Sequence, residues 1–160
     1  MQNIRADQLQ KAKNCAFLLL KFRPRSEKEI GERLKRKKFD NEVIQEVLFF
    51  LKEKCFIDDS SFAKAWLEAR LKRPLGLRKI RQELKEKGIS KEIIDSQIEE
   101  LTKGYCEEKV VLKVAKNRLN RLKGIQPQKK KNRLYAYLVR RGFLPEQIID
   151  VVNQLCKRTF

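Results

Sequence analysis

An apolar pattern that repeats without gaps constrains the fold of this chain more than any other feature of its sequence. When the segment 24–51 is moved by 50 residues, its apolar positions fall on apolar positions again, and a shift of 104 repeats the match. Such repeats indicate units that stack on one another and share a core. We therefore interpret the chain as three repeats, 1–54, 55–104 and 105–160. The matched series are Ile30, Ile80 and Leu134; Leu34, Leu84 and Leu138; Phe39, Ile89 and Phe143; Ile44, Ile94 and Ile148; and Leu48, Ile98 and Val152.

Each repeat is expected to contain three helices. In the first repeat, a helix over 9–22 ends before Pro24, and Ser26 with Glu29 forms a capping box for the second helix. Asp40 is expected to cap the third helix. Because a unit of ~50 residues is marginally stable alone, neighbouring repeats must share apolar faces. We predict an all-α fold, with three tandem three-helix repeats stacked into an elongated, curved, right-handed array.

The turns after the second helices occupy equivalent positions. Gly88 and Gly142 are predicted to adopt the left-handed conformation that ends a helix. Lys38 holds the matching position in the first repeat, where we expect a slightly strained turn. Ser90 is predicted to cap the third helix of its repeat, and Pro145 to open a helix, where its missing N–H is no loss.

Positive charge dominates the chain and is unevenly distributed. The formal net charge is +18, from 39 Lys and Arg against 21 Asp and Glu, and the C-terminal repeat alone has 14 basic and 4 acidic residues. An excess of this size indicates an anionic partner, most commonly a nucleic acid, although a basic solvated surface would look the same. We expect the third repeat to make the strongest electrostatic contact and the middle repeat to hold the array together.

Cations recur on the predicted second helices, and Lys37, Lys87 and Arg141 share one repeat position, as do Lys28 and Arg78. A charge run is often only a solvated face, but recurrence at one position favours a continuous basic stripe that follows phosphates or an acidic protein groove. The candidate binding residues are Arg33, Lys37, Arg73, Arg78, Lys79, Arg81, Lys87, Lys129, Lys130, Lys131, Arg133, Arg140 and Arg141.

Two features could indicate chemistry, but structural roles explain them better. Asp58 and Asp59 could form a metal-binding or catalytic pair, yet carboxylates are also favoured at a helix start by capping and by the helix dipole. Trp66 could stack on a base. It lies at helical spacing from Phe62 and Ala69, however, so we predict packing within or between repeats.

Several classes of function find no support in the sequence. The chain has no histidine, its four cysteines are about 40–51 residues apart, and its glycines are scattered singly, so we expect no metal site, no cofactor and no enzymatic activity. The apolar run 15–20 is too short for a signal peptide core or a membrane span. We expect a cytoplasmic protein without a membrane partner.

The segment 56–90, FIDDSSFAKAWLEARLKRPLGLRKIRQELKEKGIS, resembles the central signature of the RecX family of recombinase regulators. The resemblance depends on the paired acids before Phe62, on Trp66 and Arg70, and on the run from Gly76 through Ile80 to the Lys-Gly-Ile at 87–89. The first repeat is similar to the family's first repeat, and the third keeps its outline. The resemblance covers nearly the whole chain.

The resemblance implies a monomer that binds RecA-type recombinase filaments on single-stranded DNA, with double-stranded DNA as a further ligand. It implies modulation, mostly inhibition, of the recombinase, ATPase and coprotease activities in DNA repair and the SOS response. The alternative that composition leaves open is a basic helical nucleic-acid-binding module that acts without a recombinase.

Overall fold

The computed structural model describes residues 2–157, with side chains described for 5–156; Met1 and residues 158–160, the outer ends of the first and third predicted repeats, lie outside the described residues. Within this part of the chain, all regular structure is helical and forms nine helices, three in each predicted repeat. The helical-repeat prediction is confirmed, while the curvature and handedness of the array stay predictions. The helices are α1 Gln2–Phe22, α2 Glu27–Arg36, α3 Asn41–Glu53, α4 Asp59–Leu71, α5 Leu77–Glu86, α6 Lys91–Leu101, α7 Glu107–Asn120, α8 Pro127–Arg141 and α9 Pro145–Lys157.

The chain divides into two compact units whose limits do not follow the repeats. The first unit joins the residues up to Trp66 with Leu84–Gln97, and the second joins Leu67–Glu83 with the residues from Ile98 onward. The helices of the second repeat are therefore shared between the two units. Each unit contains one junction between consecutive repeats.

The repeated apolar register forms the cores. In the first unit, Ile30, Leu34 and Leu51 are fully buried, and Val43, Ile44, Val47 and Leu48 of α3 pack with them. In the second unit, the corresponding residues from α8 and α9 are buried with Val111 and Ala115 of α7. The side chains that matched under shifts of 50 and 104 are thus buried, except for the half-buried Phe39. Those of the third repeat are Leu134, Leu138, Phe143, Ile148 and Val152.

The first helix is longer than the predicted span 9–22, because α1 begins at Gln2. Residues 2–8 contain no glycine or proline to stop a helix. Arg5 also lies within 3.4 Å of the Glu42 carboxylate and 3.6 Å of that of Glu46, so α3 supports this extension. Sequence periodicity missed the segment because it is largely polar.

The helix starts confirm some predicted caps and correct others. Ser26 accepts a hydrogen bond from the Glu29 amide at 3.2 Å, as in a capping box, whereas the Glu29 carboxylate binds cations instead of returning to the cap. Asp40 occupies the cap position of α3 without a side-chain cap hydrogen bond, which corrects the prediction. Ser90 accepts from the Ile93 amide at 3.4 Å, and Pro145 opens α9. Both of these predictions are confirmed.

The junction between the first and second repeats joins the start of α2 to the end of α5. The Ser26 hydroxyl donates to the Lys87 carbonyl at 2.7 Å, and the Glu27 amide donates to Oδ1 of Asp59 at 2.9 Å. Lys28 donates its ammonium to the Glu86 carbonyl at 3.0 Å. Free N–H groups at one helix start and free carbonyls at another helix end are thus satisfied across the junction.

The junction between the second and third repeats joins the start of α5 to the end of α8 in the same way. The Gly76 amide donates to the Arg141 carbonyl at 2.9 Å, and the Leu77 amide donates to Oε1 of the buried Glu107 at 2.8 Å. Lys79 contacts the Arg140 carbonyl at 3.5 Å. Two helix starts are therefore each capped by a carboxylate, Asp59 or Glu107, from the first helix of the following repeat.

Glycine is required at these junctions for two reasons. Gly88 and Gly142 have φ values of 82° and 83°, which confirms the predicted left-handed turns. A Cβ on Gly88 would lie 2.6 Å from Cβ of Lys28, and one on Gly142 would overlap the backbone and Cβ of Lys79. Lys38 adopts φ 64° in the first repeat, where no earlier repeat of the three packs against it. Only the conformational cost remains there, about 1 kcal/mol.

Glu29 connects the first junction electrostatically. Its carboxylate receives two hydrogen bonds from the Arg23 guanidinium, at 2.9 and 3.0 Å, and one from the Lys87 ammonium at 2.7 Å. Burial opposes ionisation of Glu29, but the bonds from Arg23 and Lys87 outweigh it and lower its pKa to about 2.

Lys87 also lies 4.3 Å from the centre of the Trp66 ring, which stacks on Phe62. The packing role predicted for Trp66 is therefore supported.

The second helix of the third repeat is longer than its counterparts. α2 and α5 have ten residues each and are offset by 50, whereas α8 has fifteen and begins four residues before the position equivalent to Glu27. Its first residue is Pro127, which suits a helix start because proline lacks an N–H to satisfy. α8 therefore carries an additional turn, 127–130, without an equivalent in α2 or α5.

Replacing Gly142 by Ala is expected to lower the free energy of unfolding by about 2–4 kcal/mol, since a left-handed alanine and an overlap with Lys79 both add cost. Lys38→Gly relieves only a conformational cost and should change stability by less than about 1 kcal/mol, towards stabilisation. Urea unfolding followed by circular dichroism measures both. Equal destabilisation by the two substitutions would contradict the close-approach argument.

The lowered pKa of Glu29 predicts a pH dependence of stability. A carboxyl group whose folded pKa is below its unfolded value of about 4.5 stabilises the fold above that pH, and the contribution disappears as pH falls from about 4.5 towards 2. Glu29→Gln should lower stability at neutral pH by about 1–2 kcal/mol and flatten this part of the profile. Glu32→Gln, an exposed neighbour on α2, is the matched control and should do neither. Parallel profiles for wild type and Glu29→Gln would disprove the assignment.

Candidate nucleic-acid interface

The predicted cation positions fall into two groups in the structure, those held by the fold and those exposed. The recurring position of Lys37, Lys87 and Arg141 belongs mostly to the first group. Lys87 pairs with Glu29, and Arg141 donates to the Pro74 carbonyl at 3.3 Å and lies 5.1 Å from the centre of the Tyr137 ring. The recurrence at 87 and 141 therefore has a structural explanation. Of the three cations, only Lys37 is exposed.

The candidates of the first and second repeats have mixed environments. Arg33, Arg73 and Arg78 are exposed. Lys79 is exposed as well, but its ammonium reaches the Arg140 carbonyl, and Arg81 is half-buried with an interaction of its own. Lys28, which shares a repeat position with Arg78, binds the Glu86 carbonyl. The structure thus leaves only part of this set available to a partner.

The candidate binding residues of the third repeat all lie on α8, and they occupy different faces of that helix. Lys129, Arg133 and Arg140 are exposed, whereas Lys130, Lys131 and Arg141 are half-buried. The exposed three are four and seven residues apart, which puts them on one side of a helix. We call these three residues the α8 stripe.

Another row of cations lies on α7 and was missed by the sequence prediction, which concentrated on the second helices. Lys109, Lys113 and Lys116 are exposed and follow one another at intervals of four and three residues. That spacing is visible in the sequence and could have identified them. Lys109 differs from the other two because it borders a groove with Glu108 and Glu146.

Asp58 and Asp59 both cap helix starts, each in a different helix. Asp58 accepts from the amides of Ser60 at 2.9 Å and Ser61 at 3.1 Å, and the bond from the Ser61 hydroxyl, followed by these amide bonds, lowers its pKa. Asp59 accepts from Glu27 across the junction, and burial raises its pKa. Both carboxylates are therefore explained by backbone amides, as the capping interpretation predicted.

The remaining candidate chemistry is sparse in the part of the chain that the structure describes. All four cysteines are free thiols, and Cys156 is buried. Among the described residues, no group of three Cys, Asp or Glu side chains could hold a metal ion. No helix between residues 2 and 157 combines the length and apolar character that a membrane span needs.

The most exposed large apolar side chains lie on the first repeat and at its boundary with the second, while those on the third repeat are less than half exposed. Phe22 at the end of α1 is 81% exposed, and Phe49 on α3 is 66% exposed. Leu18 and Phe56 are also more than half exposed. Exposed aromatic groups of this size are typical of surfaces that bind other proteins.

Comparison with known proteins finds the same organisation. Three family models match the chain in order: the first three-helix domain of RecX over residues 12–51, the second over 58–96 and the third over 107–152. A regulatory protein RecX from Chlorobium phaeobacteroides is 38% identical over 146 residues, covering 91% of this chain and 93% of the relative. One from Clostridium beijerinckii is 30% identical and covers 94% and 70%.

Solved structures show the same fold. A crystal structure of RecX from Lactobacillus salivarius superposes with a TM-score of 0.77 at 22% identity, covering 94% of this chain and 97% of that one. Another crystal structure of regulatory protein RecX gives a TM-score of 0.79 at 24% identity. With three domain models in sequence and a relative at 38% identity matched over 93% of its length, this chain belongs to the RecX family of regulatory proteins.

Proposed function

We propose that this protein binds filaments of a RecA-type recombinase on single-stranded DNA and modulates the recombinase, mostly by inhibition. It would reduce recombinase, ATPase and coprotease activities in DNA repair and the SOS response. It would act as a monomer in the cytoplasm. The observation that carries the proposal is the ordered match of all three RecX domains along one chain.

Two surface features support a partner made of both protein and DNA. Exposed apolar side chains on the first repeat suit a protein surface. The exposed cations of the third repeat suit phosphates. A nucleoprotein filament offers both kinds of surface at once, which neither bare DNA nor a protein alone does.

The second candidate is a nucleic-acid-binding module that acts without a recombinase, and the strongly basic third repeat favours it. The two candidates differ in which form of DNA they prefer. A filament-binding protein should bind recombinase-coated DNA more tightly than bare DNA. A module of the second kind should bind bare DNA at least as well, with a steep dependence on salt.

Added in stoichiometric amounts, the protein is expected to slow ATP hydrolysis and DNA strand exchange by the recombinase of the same organism. The measurement follows both activities on single-stranded DNA at constant salt, with co-sedimentation of the protein and the filament. Gly142→Ala is a useful comparison. It disturbs the second junction but keeps every surface cation, and it should weaken the inhibition of the recombinase. Unchanged activities together with no co-sedimentation would rule the function out.

The double substitution Phe22→Ala and Phe49→Ala should weaken the effect on the recombinase at least about tenfold, because exposed aromatic anchors often dominate protein interfaces. Its affinity for bare DNA and its stability should stay unchanged, since both side chains are largely exposed. Leu144→Ala with Ile149→Ala, which removes exposed apolar groups from the third repeat, is the matched control. If both double variants act like wild type, the first repeat is not the recombinase contact.

A further inference from the structure

The positive charge of the third repeat is separated from its negative charge. Residues 109–141 contain twelve Lys and Arg and no Asp or Glu. The four acids of the repeat lie at the start of α7 and in the first half of α9, outside that stretch. Three of them, Glu108, Glu146 and Asp150, line one groove of about 520 Å³ between α7 and α9, and Glu107 is buried at the junction. α8 therefore has no acidic residue of its own to balance its cations.

The α8 stripe stands out within this basic region. Lys129, Arg133 and Arg140 are exposed, and none of them takes part in the ion pairs described for residues 5–156. The stripe spans about 16 Å along the helix. One strand of a B-form duplex presents about five phosphates over that length. The half-buried neighbours Lys130, Lys131 and Arg141 face other directions.

The adjoining side of α8 carries uncharged groups that suit a nucleic acid. Gln128, Asn132, Tyr135 and Val139 are exposed and follow one another at intervals of four, three and four residues. Gln128 donates its amide to the Asn132 carbonyl oxygen at 3.2 Å, which holds both amides at the surface. Amide side chains contact phosphate and sugar oxygens, and an exposed tyrosine ring offers a stacking surface for a base.

We propose that the α8 stripe binds the sugar–phosphate backbone of nucleic acid directly, in the absence of recombinase. The inference deepens the proposed function, on which it rests for its setting, by assigning the DNA contact to one helix face. An acidic protein groove fits less well, because a row of cations that spans several phosphates gains free energy from the counterions which a nucleic acid releases.

The test compares two variants that remove the same number of charges. The first is Lys129→Gln, Arg133→Gln and Arg140→Gln together. The control is Arg5→Gln, Lys11→Gln and Lys52→Gln together, which removes cations that already pair with carboxylates. Fluorescence anisotropy with a labelled oligothymidylate and with a labelled duplex, over about 50–200 mM salt, gives affinity and salt dependence for each source of phosphate.

The stripe variant should bind about 10–100-fold more weakly than wild type. The slope of log affinity against log salt should fall by about 2 on single strands or 3 on duplex if all three cations contact phosphates. The control variant should lose less than about threefold, and circular dichroism should show both variants folded. The arm with the larger loss identifies the preferred form of DNA.

Three results would overturn the proposal. Equal losses in both variants would mean that total charge alone matters. If wild type binds neither DNA detectably at low salt, nucleic acid is not a ligand of the protein in the absence of recombinase. Unchanged DNA affinity with a weaker effect on the recombinase would assign the stripe to an acidic protein surface. Because the anisotropy assay contains no recombinase, its failure is distinguishable from failure of the proposed function.

Discussion

At each junction, the first turn of one second helix lies against the last turn of the next, so close that no Cβ fits at Gly88 or Gly142. A helix start carries unsatisfied N–H groups and a partial positive charge, and a helix end carries unsatisfied carbonyls and a partial negative charge. Bringing α2 to α5, and α5 to α8, places these opposite ends together. The Gly76 amide bonded to the Arg141 carbonyl is the most direct example. The repeats are therefore joined by hydrogen bonds to polar backbone groups at each junction.

This arrangement determines what the charged residues near the junctions do. Carboxylates go to the helix starts, where Asp59 and Glu107 receive amide hydrogen bonds from Glu27 and Leu77. Ammonium groups go to the helix ends, where Lys28 and Lys79 meet carbonyls. Such groups stabilise the dipoles of the helices whose ends they contact. A partner must therefore bind charges outside the junctions, and on α8 those are the cations of the stripe.

The core and the turns could be predicted from the sequence because each depends on one residue type at a fixed offset. Ile30, Ile80 and Leu134 are buried where the register requires it, and the turn glycines have the expected φ. The junction could not be predicted in this way. Asp59 and Glu107 are 48 residues apart rather than 50, so a search at the repeat offset does not align them.

The candidate site shows the same limit. The recurrence of Lys87 and Arg141 suggested a binding stripe, but each side chain makes a structural contact of its own, Lys87 with Glu29 and Arg141 with the Pro74 carbonyl. On α8, neighbouring cations in the sequence point to different sides of the helix. The composition of 109–141 predicts a basic region. It does not predict that Lys129 is exposed while Lys130 is half-buried, because that depends on how α8 packs in the fold.

The additional turn of α8 changes which backbone amides are available at the start of that helix. The residue that corresponds to Glu27 and Leu77 is Lys131, which lies inside α8, so its amide is already used by the helix. The third repeat therefore has no free amide at the position from which the other two donate to a carboxylate of the following repeat. Lys129 lies on this additional turn. The earlier repeats use the start of their second helix for contacts with the next repeat, whereas the start of α8 presents Lys129 to solvent.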